Sequence, residues 1–203
     1  NFQQAVEIDS GFALAYAELA RSHARLYYLR HDLSESRLMK SRQAADKALE
    51  LGPDQPRVHL ELGYYHLYAH RDHKTALNHL ENAEKGLPNA VEMLTAKAAI
   101  FEPLGRWEEY IDLLDKACEL SPRDPSTPTD LALGLWFMRR YEEAVDACNR
   151  AITLDPELDW PYLYKVFAIW SRNGPDQESR DALLNIQFEH EWYLFSWFHQ
   201  EIG

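Results

Sequence analysis

Histidine is concentrated in one stretch of the chain, HLELGYYHLYAHRDHKTALNHL, residues 59–80. His66 and His70 are four residues apart, which places them on one face of a helix, and His73 follows closely. Zinc sites use this spacing. The alternative is a structural role, with His66 packed between two helices and the other two in or beside a turn. We favour the structural role and predict no metal site and no cofactor.

The motifs of common enzyme active sites are absent from the sequence. There is no G-x-S-x-G, no P-loop and no dinucleotide-binding fingerprint. HEWYL, residues 190–194, lacks the second histidine that a zinc-protease helix needs. Cys148 lies at a core position of its helical pattern, which favours packing over a reactive thiol. We therefore predict that the chain is not an enzyme.

Charge and hydropathy exclude two classes of partner. The net charge of −12 argues against general nucleic-acid binding, because phosphate binding needs a basic surface. No apolar run is long enough to span a bilayer, and no signal peptide is visible. The chain begins at Asn1 without a methionine, so we interpret it as a piece of a longer protein. Cys118 and Cys148 are too few for a disulfide framework and indicate a reducing, cytoplasmic compartment.

Two series of residues recur with one period. The first series is an alanine followed five residues later by a proline. Its four pairs are Ala48 and Pro53, Ala83 and Pro88, Ala117 and Pro122, and Ala151 and Pro156, at separations of 35, 34 and 34 residues. The second series keeps the same separations at Leu62-Gly63, Lys97-Ala98, Leu131-Ala132 and Lys165-Val166. Two series in phase over four units indicate an internal repeat.

The residue types at these positions predict helix hairpins. Small residues let two antiparallel helices approach closely, and a proline cannot continue a helix, so it lies just beyond the helix end. GRWEEY (105–110) and RRYEEA (139–144) supply a turn and the start of a second helix. Between these turn motifs and the prolines, apolar residues recur every three or four residues, which is the helical period. One hairpin cannot bury its faces alone, so successive hairpins must stack.

This pattern resembles the tetratricopeptide repeat, W-x2-L-G-x2-Y…A-x3-F…A-x4-P over 34 residues. The closest match is RRYEEAVDACNRAITLDPE, and the resemblance covers about residues 2–190. It implies an all-α fold, a right-handed superhelix of stacked helix-turn-helix hairpins, and a single domain over residues 1–203. The expected units are 1–10 (partial), 11–53, 54–88, 89–122, 123–156 and 157–190.

The departures from the pattern predict local features. The first complete unit carries about nine extra residues around LYYLRHDLSES (26–36), where Asp32 or Ser34 is expected to cap the second helix. Residues 1–10 are expected to form the second helix of a preceding unit. Lys97 and Lys165 replace leucine, so we expect their stems to pack while the charges reach water.

The family places its ligands in a concave groove lined by the first helix of each unit. The resemblance therefore implies a groove of basic residues at one end and aromatic residues at the other. The groove residues are Arg21, Arg25, Arg57, Tyr64, Tyr68, Glu92, Glu102, Trp136, Phe137, Trp160, Phe167 and Trp170. Tyrosine, tryptophan and arginine are enriched at binding hot spots. The alternative is that these aromatic side chains pack between neighbouring helices.

The subtype that binds chaperone carboxylates is excluded, because Tyr64 and Glu92 replace an asparagine and a lysine. ALAYAELARSHARLYYL, with the long first unit, and LALGLWFMRRYEEAVDACNRAITLDP resemble the repeat arrays of bacterial multidomain signalling proteins. The resemblance implies a non-enzymatic scaffold that binds a protein or peptide partner in the groove. Neither nucleic acid nor membrane insertion is expected.

The end of the chain, FEHEWYLFSWFHQE (188–201), is strongly aromatic. Phe188, Trp192 and Phe195 recur at helical spacing, and Trp197 and Phe198 widen the apolar face. Six aromatic side chains bury roughly 1,000 Å² in all, more than a monomer usually leaves exposed. We expect the segment 188–203 to be a cap on the fifth unit, a self-association surface that forms a homodimer, or a contact with a neighbouring domain.

Overall fold

The computed structural model describes residues 2–87, 90–174, 177, 180 and 181, and within these the only regular structure is helical. The α-helices are α1 (Phe2–Ile8), α2 (Ala13–Tyr28), α3 (Glu35–Leu51), α4 (Pro56–His70), α5 (His73–Glu84), α6 (Val91–Phe101), α7 (Trp107–Leu120), α8 (Ser126–Phe137), α9 (Tyr141–Leu154) and α10 (Asp159–Asn173). None of these helices has the length and apolar character needed to cross a membrane.

Within each compact unit, helices that follow each other in the chain pack together. α2 packs on α3, α4 on α5, and α8 on α9, while α4 also packs on α2 and α10 on α8. The chain divides into two compact units, Asn1–Leu104 and Gly105–Gly203. From here on, these are the first and the second unit, and each helix hairpin is called a repeat. The division falls in the turn of the third expected repeat, so α6 belongs to the first unit and α7 to the second. The expectation of one domain stays a prediction.

The repeated alanines lie where helices approach most closely. Ala48, Ala83, Ala117 and Ala151 are each 0% exposed. Each lies on the second helix of its repeat, and the described prolines of the series, Pro53, Pro122 and Pro156, follow directly after helix ends. The small side chain at each repeated alanine therefore permits close packing, and the proline marks the stop.

The two lysines at leucine positions are partly buried, and their ammonium groups bind protein acceptors. Both side chains are half-buried. Lys97 Nζ lies 2.7 Å from Glu84 Oε1, and Lys165 Nζ donates to Asn149 Oδ1 at 2.8 Å. The apolar stem of each lysine packs within its own repeat. The ammonium group binds an acceptor on the second helix of the preceding repeat.

Side-chain caps begin two of the second helices. Ser34 Oγ accepts a hydrogen bond from Arg37 N at 3.2 Å at the start of α3, and Asp32 accepts from Ser34 N. Asp72 Oδ1 accepts from Thr75 N at 3.0 Å at the start of α5. Each cap satisfies backbone donors that the helix itself leaves unpaired. Of the two residues predicted to cap the second helix of the long first repeat, the structure therefore assigns the cap to Ser34.

Each hairpin turn contains one residue in the left-handed region. The φ angles are 61° at Arg30, 52° at Arg71, 67° at Gly105 and 58° at Arg139. A left-handed residue after a helix lets its backbone N–H bond the last free carbonyl groups. Three of the four positions hold arginine, for which this conformation carries a steric cost. The turn geometry, and not the residue type, therefore determines this conformation.

The contact between α7 and α8 generates a stability prediction. A Cβ added at Gly134 would lie 2.6 Å from Tyr110 Cδ1, and this ring is buried, with its hydroxyl donating to the Asp130 carbonyl at 2.9 Å. The Gly134→Ala variant should lose about 1–3 kcal/mol of unfolding free energy, although alanine favours helix formation more than glycine.

Urea unfolding followed by circular dichroism measures the effect. The control is Asp146→Ala at an exposed site on α9, which should change the unfolding free energy by less than about 0.5 kcal/mol. A Gly134→Ala protein as stable as the wild type would contradict the close approach of α7 and α8.

Candidate functional site

The first unit carries a row of tyrosine rings on α2 and α4, which we name the tyrosine ladder. The ring centroids of Tyr64 and Tyr68 are 5.8 Å apart, and those of Tyr68 and Tyr28 are 5.1 Å apart. The guanidinium of Arg21 lies 3.9 Å from the Tyr64 ring centroid, and that of Arg71 lies 5.9 Å from the Tyr28 centroid. The row therefore begins and ends with a cation over an aromatic face.

The Arg21 end of the tyrosine ladder belongs to the interior. Arg21 donates to Glu61 Oε2 at 2.9 Å, and Glu61 is only 5% exposed. Tyr64 is 8% exposed, and burial raises its pKa to about 12, while its hydroxyl shares a hydrogen bond with Thr95. These contacts satisfy the polar groups that the packing of α2, α4 and α6 buries.

The remaining residues predicted in the first unit lie nearer the surface. Arg25 is exposed on α2, and Glu102 is exposed at the end of α6. Arg57 NH1 lies 3.8 Å from Glu92 Oε1, and both side chains are about half exposed, at 53% and 55%. Such an exposed pair adds little to stability. The structure brings Arg21, Tyr64 and Tyr68 together but leaves these four outside the tyrosine ladder.

The second unit carries a longer row of rings on α7, α8 and α10, which we name the tryptophan ladder. Its order is Trp107, Phe137, Trp136, Phe167, Tyr164 and Trp160. The successive centroid distances are 4.2, 4.9, 5.3, 6.5 and 5.8 Å. Trp136 Nε1 also donates to Ser171 Oγ at 2.9 Å. Stacking and this hydrogen bond together fix the orientation of the rings.

Exposure differs along the tryptophan ladder. Phe137 is 50% exposed and Trp160 is 48% exposed, while the rings between them are half-buried. Trp170, also predicted as a groove residue, is half-buried on α10. The middle of the ladder thus packs α8 against α10, while Phe137 and Trp160 remain accessible at the surface.

Four members of the two ladders were missed in the sequence: Tyr28, Arg71, Trp107 and Tyr164. Tyr164 is four residues after Trp160, a spacing that already places both on one helix face. The other three join their ladders through contacts between helices or from a turn, for which the repeat pattern holds no signal.

The other chemically active side chains of interest are the two cysteines and the groups that could hold a metal ion. Burial raises the pKa of the Cys118 thiol to about 11 and that of Cys148 to about 12, so both remain protonated at neutral pH. Among the described residues, no three histidine, cysteine or acidic side chains are arranged to hold a metal ion. Phe188, Trp192, Phe195, Trp197 and Phe198 lie outside the described residues.

The hairpins, the repeated alanines and the stacked first helices define a helical-repeat protein. Two tetratricopeptide-repeat family models match the chain, one over residues 65–125 and one over residues 130–158. These parts of the chain are therefore tetratricopeptide repeats, as the sequence pattern predicts. A search of curated proteins finds no match.

Solved structures share the fold at low sequence identity. YrrB, described as a tetratricopeptide-repeat protein with an unusual peptide-binding site, matches with a TM-score of 0.62 at 18% identity, over 96% of each chain. A MamA structure labelled AMB-1 matches with a TM-score of 0.61 at 18% identity, over 92% of this chain and 98% of its own. MamA from Desulfovibrio magneticus RS-1 matches with a TM-score of 0.61 at 17% identity, over 84% of this chain and 90% of its own.

The buried pair in the first unit generates a second prediction. Arg21→Ala removes the partner of Glu61, whose side chain is 7% exposed, and leaves a carboxylate in a poorly solvated site. We expect a loss of about 1–3 kcal/mol of unfolding free energy, below the value for a fully buried pair because Arg21 is itself 29% exposed.

Arg25→Ala is the matched control, because Arg25 is exposed one turn further along α2. Its effect should stay within about 0.5 kcal/mol in urea unfolding followed by circular dichroism. Equal effects of the two substitutions would show that the pair with Glu61 does not stabilise the first unit.

Proposed function

We propose that the chain is a non-enzymatic protein-interaction scaffold that binds an extended peptide segment through the tryptophan ladder of its second unit. One observation supports this most directly: Phe137 and Trp160, at half exposure, are accessible members of one continuous row of rings. Large aromatic side chains on a surface are the residue types that contribute most to protein interfaces.

The geometry lowers the entropic cost of binding. Stacking against Trp107 orders the Phe137 ring at an interplanar angle of 11°, and Tyr164 orders the Trp160 ring. A partner therefore meets side chains whose rotamers are already restricted, and it loses less free energy in ordering them. The row also presents several ring faces in sequence, which suits an extended segment with apolar or cationic side chains.

The tyrosine ladder suits this role less well. Arg21 is already paired with Glu61, and Tyr64 is buried, so neither offers much free surface to a partner. In the first unit, the exposed Arg25, Arg57, Glu92 and Glu102 remain proposed contacts of secondary importance. We assign recognition chiefly to the second unit because its aromatic side chains are both ordered and accessible.

The fold also supports the proposal. The tetratricopeptide repeat commonly serves as an interaction scaffold, and the similar YrrB structure is described as having a peptide-binding site.

The two described cysteines bear on the location of the protein. Cys118 and Cys148 are both free thiols. Free thiols are typical of reducing compartments, and we propose a cytoplasmic location in a bacterium.

A defined peptide probe tests this function. A random peptide library is selected against the chain, and the affinity of an enriched peptide is measured by calorimetry. Phe137→Ala and Trp160→Ala should each weaken binding by about 1–2 kcal/mol, with unchanged circular dichroism, because each removes an accessible ring.

The control is Leu120→Ala on α7, which removes a 54% exposed apolar side chain away from the ladder and should leave affinity unchanged. Enriched peptides that bind both ladder variants as tightly as the wild type would overturn the assignment of the site. Failure of the library to yield any saturable binder would count against peptide recognition itself.

Self-association through residues 188–203 is the second candidate function, and the six aromatic side chains of that sequence are its basis. Deleting these residues should halve the mass measured by light scattering if the segment holds two copies together. It should instead lower the melting temperature at unchanged mass if the segment caps the fifth repeat. A deletion that changes neither quantity contradicts both roles.

A further inference from the structure

A cluster of imidazole rings lies between α4 and α5 in the first unit. His59 Nδ1 and His79 Nδ1 are 2.8 Å apart, and His59 Nε2 lies 2.8 Å from the Pro53 carbonyl oxygen. The His66 ring stacks on His79, with centroids 5.1 Å apart and an interplanar angle of 16°. His70 Nε2 shares a hydrogen bond of 3.1 Å with the Tyr65 hydroxyl. We name His59, His66, His70 and His79 the histidine cluster.

Elimination assigns the protons of the central pair. The Pro53 carbonyl can only accept, so His59 Nε2 must carry hydrogen and donate to it. A neutral His59 then has an unprotonated Nδ1, which accepts from His79. His79 therefore carries its proton on Nδ1 when it is neutral. This network is complete with both rings uncharged, and burial favours the uncharged form of His79.

Added protons damage this arrangement stepwise. One proton on the pair still leaves a single N–H between the two Nδ1 atoms, but it places a cation against the stacked ring of His66. A second proton places two N–H donors face to face at 2.8 Å, where no hydrogen bond can form.

The charged groups around the cluster offer little compensation. A cavity of about 280 Å³ adjoins it, and α3 lines that cavity with Arg42 and Asp46, which lie 3.8 Å apart as an ion pair. Asp72 is engaged as the cap of α5 through Thr75. From α6, Lys97 reaches α5 only at Glu84, where the two charges pair. Arg42 and Asp46 offset each other's charge. Asp72 raises the pKa of His66, but its effect is smaller than those of burial and of His70, which lower it.

We propose that the histidine cluster makes the α3–α5 region of the first unit acid-sensitive, so that it holds its packing at neutral pH and opens on mild acidification. The proposal is independent of the peptide-binding function. It concerns the second repeat, whose two helices the cluster joins.

The sign of the pH dependence follows from the folded-state pKa values. Burial, followed by the charges of His66 and His59, lowers the pKa of His79 to about 4. Burial and His70 lower the pKa of His66. The unfolded chain keeps the ordinary histidine pKa of about 6.5 and binds more protons below it. The stabilisation is therefore present above about pH 6.5 and is lost as the pH falls toward about 4.

Amide hydrogen exchange of the intact protein tests the proposal, because it reads opening of α5 and of α9 separately in one sample. Protection factors are corrected for the intrinsic pH dependence of exchange. From pH 7.5 to pH 5.0, protection of residues 73–84 should fall roughly 30-fold from His79 alone, the ratio given by pKa values of about 6.5 and about 4. Protection of residues 141–154 in α9 serves as the internal control and should change much less.

His79→Asn is the test variant, because the asparagine Nδ2 occupies the place of the imidazole Nδ1 and still donates to His59 while it does not titrate. In the His79→Asn variant, the roughly 30-fold fall in protection of residues 73–84 between pH 7.5 and pH 5.0 should disappear. His31→Asn, at an exposed position in the α2–α3 connection, should behave as the wild type. A loss in His79→Asn as large as that of the wild type would overturn the proposal.

A measurement on the wild type keeps the test independent of variant folding. An NMR titration of the imidazole resonances should show His79 uncharged until well below pH 5.5. A titration midpoint of His79 near pH 6.5 in the folded protein would contradict the proposal, because the folded and unfolded states would then bind protons equally at His79.

Discussion

Close approach of helices at small side chains is the constraint on which the rest of the structure depends. Ala48, Ala83, Ala117 and Ala151 have no exposed surface, and Gly134 faces the ring of Tyr110 without room for a methyl group. A larger side chain at any of these positions must displace its neighbour, because interiors are close-packed. The 34-residue period of the sequence is thus the period at which two backbones must come near.

Close packing also explains why aromatic rings of different repeats meet. When α8 and α10 lie side by side, aromatic residues on the facing sides of the two helices come within stacking distance, as Trp136 and Phe167 do at 5.3 Å. In the first unit the same arrangement buries an ion pair, since Arg21 and Glu61 fill the space between α2 and α4. One repeat geometry therefore yields a polar interior in one unit and a partly exposed aromatic row in the other.

The sequence predicted the hairpins, their turns and the capping of α3, because these depend on local spacing and on residue types with one dominant effect. Contacts between distant positions were not predictable. The two histidines that share a hydrogen bond, His59 and His79, are 20 residues apart in the chain and are not the pair four residues apart on one helix. The left-handed turn at Arg139 had no sequence signal, because arginine is not a typical turn residue.

The division of the chain into two units coincides with an uneven distribution of one residue type. All six tryptophans follow Leu104, and the first unit contains none. Light that excites indole selectively therefore reports on the second unit alone, whereas backbone dichroism reports on both. Tryptophan fluorescence is therefore an intrinsic probe of the second unit. If the two units unfold independently, the unfolding transitions measured by tryptophan fluorescence and by circular dichroism will not coincide in the same sample.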